Sequence, residues 1–161
     1  MKILMVCLGN ICRSPLAEGI MKTKLPADFF VDSVGTISQH EGKNPDKRAI
    51  KTAASHGIDI SKQVSRPIKS SDLESFDKIY CMDIDIYEDV VSIAKNEQQR
   101  QKVKLFLEVA GNHENAEVPD PYWGDMNGFE DVFQILDEGC NTIAQQLIDE
   151  RKMNLSSPET L

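Results

Sequence analysis

Two periodicities alternate along the chain. Lys2-Ile3-Leu4-Met5-Val6-Cys7 is apolar at consecutive positions, the pattern of a strand covered on both faces inside a parallel sheet. It runs into Gly9-Asn10, a pair suited to positive φ. From about Pro15 to Lys24 the apolar residues Leu16, Ile20 and Met21 recur at helical steps, with Ser14 in the capping place and Pro15 at the first position. Phe29-Phe30-Val31-Asp32-Ser33-Val34 predicts a second strand. The polar stretch after Gly35 leads to a helix from Asp46 to His56, closed by Gly57. Asp77-Lys78-Ile79-Tyr80-Cys81-Met82 and Val103-Lys104-Leu105-Phe106-Leu107 predict the third and fourth strands, with one or two helices between them, over about Ile84 to Ala94 and Glu97 to Lys102. In the last long segment Phe129, Val132, Phe133, Leu136, Cys140, Ile143, Ala144 and Leu147 fall at three- and four-residue steps, which marks an amphipathic helix packed on the sheet.

Strands alternating with helices specify an α/β layer architecture: one domain over residues 1–150, with a four-stranded, mostly parallel sheet and helices on both faces. No internal repeat or interdomain linker interrupts it. After Glu150 the composition turns polar through Leu161, so residues 151–161 read as a frayed or disordered tail. Sheets of this kind bind ligands at the carboxyl ends of their strands. Cys7 stands at such an end.

Composition narrows the partners. The chain has 161 residues, of which 40% are hydrophobic, enough for one core without crosslinks. Eighteen Lys and Arg against 26 Asp and Glu give a formal charge of −8, which argues against nucleic acid. The short apolar opening run resembles neither a signal peptide nor a membrane span, so a cytoplasmic protein with no membrane partner is expected. Cysteines at 7, 12, 81 and 140 form no disulfide framework and no C-x-x-C pair. Their chemistry, if any, is that of a reactive thiol. His40, His56 and His113 lack ligand spacing, so no metal is expected.

The segment Cys7-Leu8-Gly9-Asn10-Ile11-Cys12-Arg13-Ser14-Pro15 combines a thiol, a permissive turn, an arginine and a helix start. Backbone N–H groups of a tight loop, together with those of the following helix, make a concave anion site. Arg13 carries a planar fork that can grip two non-bridging phosphate oxygens. The helix dipole and Arg13 together stabilise a thiolate at Cys7, and Ser14 is placed to hydrogen-bond that sulfur as it leaves. Residues Leu8 to Ser14 are therefore the phosphate-binding loop, immediately after the first strand.

This segment resembles the signature V-C-x-G-N-I-C-R-S-P of the low-molecular-weight protein tyrosine phosphatases, met here from Val6 to Pro15. Asp120-Pro121-Tyr122 resembles the family's D-P-Y segment, and Ser33-Val34-Gly35-Thr36 its S-x-G-T segment. The resemblance covers about residues 1–150. It implies hydrolysis of phosphotyrosine and aryl phosphate monoesters through a cysteinyl phosphate, with Cys7 as nucleophile, Arg13 as phosphate clamp and Asp120 as general acid. Asn10, Ser14 and Ser33 would support the loop. A phosphotyrosine-containing protein or a small aryl phosphate would be the substrate of a monomer, inorganic phosphate the product, and no cofactor is called for.

Around the acid, Pro119 and Pro121 stiffen the loop, and Tyr122 and Trp123 supply aromatic walls. Ile11 is aliphatic, as in the tyrosine phosphatases, where related arginine phosphatases carry threonine. Two positions depart from the family pattern: Gln39, followed by His40, stands where an aromatic residue is frequent, and Lys62 where many relatives have a histidine supporting the loop. Gln39, His40, Tyr122 and Trp123 thus form the expected substrate rim. Relatives that pair thiols at the positions of Cys7 and Cys12 can close a protective disulfide, which makes Cys12 a candidate redox partner. Cys140 falls on an apolar stripe and Cys81 ends a strand, both core positions, with Asp83 as a further candidate loop support. Two alternatives stay open: a thiol-dependent arsenate reductase of the same fold, although Cys81 has no neighbouring cysteine to shuttle electrons, and a non-catalytic anion-binding or phosphocarrier module, although a carrier has no use for Asp120.

Overall fold

The computed structural model describes residues 1–112 and 114–156; His113 and residues 157–161 lie outside the described residues. Four strands form one sheet: β1 (Lys2–Cys7), β2 (Phe30–Gly35), β3 (Lys78–Cys81) and β4 (Val103–Leu105). Their order is β2-β1-β3-β4, and every pairing is parallel. The expected mostly parallel sheet is wholly parallel among the described strands. Because β1 has β2 on one side and β3 on the other, the chain's direction of progress reverses at its carboxyl end. Parallel α/β sheets open their ligand crevice at such a switch point.

Alternation along β1 sorts its side chains into two cores. Ile3, Met5 and Cys7 join a cluster with Leu16, Ile20, Phe129, Leu136 and Cys140, contributed by α1 (Arg13–Lys24) and α7 (Met126–Ser156). Leu4 and Val6 point the other way, to Leu73, Phe76, Ile86 and Val90 of α3 (Ser70–Ser75), its C-terminal flank and α4 (Ile84–Ser92). The remaining helices are α2 (Lys47–Ser55), α5 (Glu97–Lys102) and α6 (Phe106–Val109). Helices thus cover both faces, as β1's unbroken apolar run demands.

Four differences from the sequence reading have local causes. Helix α1 starts at Arg13, two residues before Pro15, and its N-cap is Cys12 with no side-chain cap; Ser14 lies inside the first turn because its hydroxyl is engaged elsewhere. Strand β4 stops at Leu105, and Phe106 and Leu107 turn into α6, where both are buried. Helix α3, missed in the sequence, begins where the Asp72 carboxylate accepts the Lys69 amide at 2.8 Å, a capping-box bond three residues back. Helix α7 runs to Ser156, so the polar stretch from 151 continues as helix through its described part. Arg151 supports that extension through an ion pair to Asp28 and its position over the Phe29 ring.

Packing is tight where α7 crosses α6. A Cβ on Gly139 would lie 2.5 Å from Cε1 and 2.8 Å from Cζ of the fully buried Phe106 ring. Gly139→Ala gains about 1 kcal/mol of helix propensity but overpacks a core that has no slack, so the net loss is about 1–2 kcal/mol. The expected result is a fall in Tm of about 2–8 °C by calorimetry; an unchanged or raised Tm contradicts this packing.

Candidate active site

Cys7 pairs in register with Gly35 at the carboxyl end of the sheet, and the chain then curls through residues 8–12 into α1. Donors from outside the loop hold its carbonyls. Thr36 N donates to Cys7 O (3.0 Å), Ile37 N to Leu8 O (3.1 Å), and Asp46 N to Ile11 O (2.8 Å); Ser65 Oγ donates to Gly9 O (3.0 Å). A trans peptide sets its N–H opposite its carbonyl. Tethered outward at these oxygens, the loop therefore turns the amides of Leu8, Gly9, Asn10 and Cys12 to its concave side. That is an anion nest, extended by the uncapped start of α1.

Two residues make the curl possible. Asn10 has φ 58°, a left-handed conformation that asparagine tolerates; the positive φ falls on Asn10 and not on Gly9. Gly35 passes directly beneath, where a Cβ would sit 2.6 Å from Leu8 O and 3.1 Å from Asn10 N. Backbone atoms cannot move aside as a side chain can, so only glycine fits there.

The side chain of Asn10 organises the buried floor. Its Oδ1 accepts from the Arg66 amide at 3.1 Å, and that amide can only donate, which fixes the orientation of the carboxamide. Nδ2 then donates to Ser14 Oγ at 2.8 Å and to Ser33 Oγ at 3.0 Å. Ser33 passes its own proton to Glu18 Oε1 at 2.8 Å. With a lone pair of Ser14 already taken, its single hydroxyl hydrogen faces two acceptors, Cys7 Sγ at 2.9 Å and the Val34 carbonyl at 3.3 Å, and a thiolate at Cys7, which can only accept, is the nearer of the two. Arg66, bridging Asp32 and Asp72, anchors the far side of this network.

Arg13 lies with its side chain 4% exposed. Nη1 donates to Asp83 Oδ2 (2.7 Å) and to Val118 O (3.0 Å), while Nη2 is 3.7 Å from Asp120 Oδ2. Burial works against the guanidinium charge. Cys7, the Asp83 hydrogen bond and the charges of Asp120 and Asp83 outweigh it, and the pKa is raised. Asp83 also caps α4 by accepting Ile86 N, so the candidate loop support acts as the anchor of Arg13.

Asp120 opens a 3-10 turn, Pro121–Trp123, and accepts the Tyr122 amide at 3.1 Å. Its side chain is 34% exposed and faces the loop. Cys7, Arg13 and Asp120 line one hollow of about 140 Å³ together with Leu8, Gly9, Ile11 and Cys12. All four expected rim residues, Gln39, His40, Tyr122 and Trp123, line it too, as does Ile37, which no sequence signal singles out. The Trp123 ring packs edge-on against Tyr122, 4.8 Å between centroids, and is 85% exposed.

The other sequence candidates fall away from this hollow. Lys62 borders a separate surface groove with Asp59 and Glu18, and Ser65, Arg66 and Ser33 do the supporting. Cys81 and Cys140 are fully buried, and burial raises both thiols. Cys12 is buried in the loop, and burial, then Asp46, raise it as well. All four cysteines are free thiols. Among the described residues no cluster of His, Cys, Asp and Glu suits a metal ion.

Glu18, Arg48, Ser65 and Arg66 were not legible as site residues, since nothing in their spacing separates them from ordinary helix or loop residues. Glu18 is nevertheless buried, and burial raises its carboxyl above the ordinary 4.5, against hydrogen bonds from Lys22 and Ser33. Folding therefore favours protonated Glu18. Its stabilising contribution is complete below the unfolded value and is lost as pH rises through the folded one. Glu18→Gln removes that titration, so urea denaturation should show the variant gaining on wild type as pH rises above the ordinary carboxyl value of 4.5; a difference that does not change with pH contradicts the burial of the charge.

Comparison with known proteins agrees with this geometry. The family model described as low molecular weight phosphotyrosine protein phosphatase matches residues 2–153. A low molecular weight phosphotyrosine protein phosphatase of Schizosaccharomyces pombe is 38% identical over 147 residues, 87% of this chain and 93% of that one. The crystal structure of a protein tyrosine phosphatase from Entamoeba histolytica with Hepes in the active site superposes with a TM-score of 0.87 at 40% identity, over 94% of this chain and 99% of that one. A drosophila arginine phosphatase also superposes, with a TM-score of 0.85 at 30% identity over 91% and 98% of the two chains.

Proposed function

The chain belongs to the low molecular weight phosphotyrosine protein phosphatases, and from that premise we propose that it hydrolyses phosphotyrosine and aryl phosphate monoesters with Cys7 as nucleophile, Arg13 as phosphate clamp and Asp120 as general acid. The observation that carries the assignment is the convergence of these three side chains on one hollow, with Ser14 Oγ 2.9 Å from the sulfur.

The phosphate oxygens sit in the amide nest of residues 8–13, and Arg13 offsets the charge that develops on them in the transition state. Cys7 thiolate attacks phosphorus, the ester P–O bond breaks, and Asp120 gives its proton to the departing phenolic oxygen. Water then attacks the cysteinyl phosphate, Asp120 carboxylate takes the proton from that water, and the P–S bond breaks. The Ser14 hydrogen bond stabilises the returning thiolate, and inorganic phosphate leaves. No step calls for a cofactor.

Tyr122, Trp123, His40 and Gln39 surround the leaving group. Ile11, on the loop itself, adds an apolar wall suited to a phenol ring rather than to a guanidinium. Because one chain supplies the whole site, a monomer suffices, and free thiols suit the reducing cytoplasm. Cys12 is the thiol available to an oxidised Cys7. An arsenate reductase relay is disfavoured, since Cys81 and Cys140 are buried away from the hollow.

Aryl phosphate hydrolysis tests the assignment. Cys7→Ser should abolish turnover, and full activity would sink the mechanism. Asp120→Ala should lower kcat/KM by about 10²-fold or more with a poorly acidic leaving phenol and by much less with a strongly acidic one; equal losses across the series mean that Asp120 is not the acid.

A further inference from the structure

Between the phosphate loop and the acid turn lies one more charged side chain, Arg48, outside the hollow and about a third exposed. Its guanidinium makes a two-pronged pair with Asp46, Nε to Oδ1 at 3.0 Å and Nη2 to Oδ2 at 2.9 Å. Two further donors go to the acid turn: Nη1 to Gly124 O at 2.9 Å and Nη2 to Tyr122 O at 3.0 Å. The cation lies 4.6 Å from the centroid of the Phe129 ring and 5.8 Å from that of Tyr122, within cation–π range of both.

Asp46 completes a path to the nucleophile's loop. Its carboxylate caps α2 by accepting the Arg48 amide at 2.8 Å, and its own amide donates to Ile11 O at 2.8 Å. Thus Ile11 O, Asp46, Arg48 and the carbonyls of Tyr122 and Gly124 form one continuous strut. It joins the loop that carries Cys7 and Arg13 to the turn whose first residue is Asp120.

The strap before Asp120 is pinned at Val118, whose carbonyl accepts Arg13 Nη1 at 3.0 Å and whose amide donates to Met82 O at 2.8 Å, and the turn after Asp120 is pinned by Arg48. Among the described residues the Asp120 carboxylate itself accepts the Tyr122 amide within the turn and lies 3.7 Å from Arg13. Phenolic protonation needs that carboxyl within hydrogen-bond reach of an oxygen whose place is fixed by the phosphate loop. The distance between the two loops is therefore a catalytic coordinate. A planar five-donor fork can set it rigidly where a single ammonium cannot.

We propose that Arg48 is a positioning residue for the general acid, fixing the Asp120 turn relative to the phosphate loop through Asp46 and the carbonyls of Tyr122 and Gly124. This rests on the assignment of Asp120 as the acid. Arg48 touches neither the phosphate nor the reacting atoms, so its contribution is confined to the step in which Asp120 moves a proton.

The test is kcat/KM of wild type, Arg48→Met and Arg48→Lys over aryl phosphates whose leaving phenols range from weakly to strongly acidic, each measured also in an Asp120→Asn background. Displacement of a catalytic group by about 1 Å can cost 10²-fold. Arg48→Met should accordingly lose about tenfold or more with weakly acidic phenols and less than about twofold with strongly acidic ones. Arg48→Lys should fall between it and wild type. Inhibition by inorganic phosphate should be unchanged, which also reports that the variants are folded; if Arg48→Met fails that check, Arg48→Lys carries the same reading. In the Asp120→Asn background neither substitution should cost anything further, the non-additivity expected of two residues acting through one step. Equal losses for all phenols, a loss that persists without Asp120, or no loss at all overturns the proposal. If Asp120→Asn alone leaves the dependence on the phenol unchanged, the acid assignment falls first and takes this one with it.

Discussion

The site depends on a cation that has been taken out of water. Arg13 is almost wholly enclosed, and desolvating such a charge costs several kcal/mol unless neighbours compensate it. Asp83 and the Val118 carbonyl do so at Nη1. Each belongs to a different segment: Asp83 to the start of α4 behind β3, Val118 to the strap that leads into the acid turn. A single guanidinium therefore draws together the loop after β1, the end of β3 and the approach to Asp120. Truncating one partner of such a pair costs about 3–5 kcal/mol, because the other charge is stranded. Substitution at Asp83 thus disturbs both catalysis and folding.

The same economy of connections governs the phosphate loop. Its inner surface is made of amides because the carbonyls of Cys7, Leu8, Gly9 and Ile11 are tied down on the outer side, to Thr36 and Ile37 after β2, to Ser65 and to Asp46. Loop geometry is inherited from a rigid sheet edge rather than from the loop's own sequence. The close passage of Gly35 shows how little tolerance this leaves. Preorganised dipoles of this kind need no rearrangement during the reaction, and that is where electrostatic catalysis gains most.

Much of this was legible from residue order. The unbroken apolar run of β1, the Gly-Asn turn and the helix start after it are local signals, and the strand–loop–helix unit that holds Cys7 and Arg13 follows from them. The stripe from Phe129 to Leu147 likewise foretold α7 and its packing. What the sequence could not disclose are pairings between distant segments: Glu18 with Ser33, Arg66 with Asp32 and Asp72, and Arg48 with the carbonyls of Tyr122 and Gly124. Each is an ordinary charged residue by composition, and only the fold brings its partners near. Ser14 was misread as a cap for a related reason. A hydroxyl at a helix start has two uses, and the tertiary neighbour at 2.9 Å, Cys7 Sγ, decided between them.

Trp123 is the chain's single tryptophan, and it stands exposed on the rim, edge-on to Tyr122. The protein therefore carries an intrinsic fluorophore at the mouth of its own site and no other indole to obscure it. Excited selectively, its emission follows the polarity and crowding at that mouth, so events there can be timed in a stopped-flow instrument without labels or coupled enzymes.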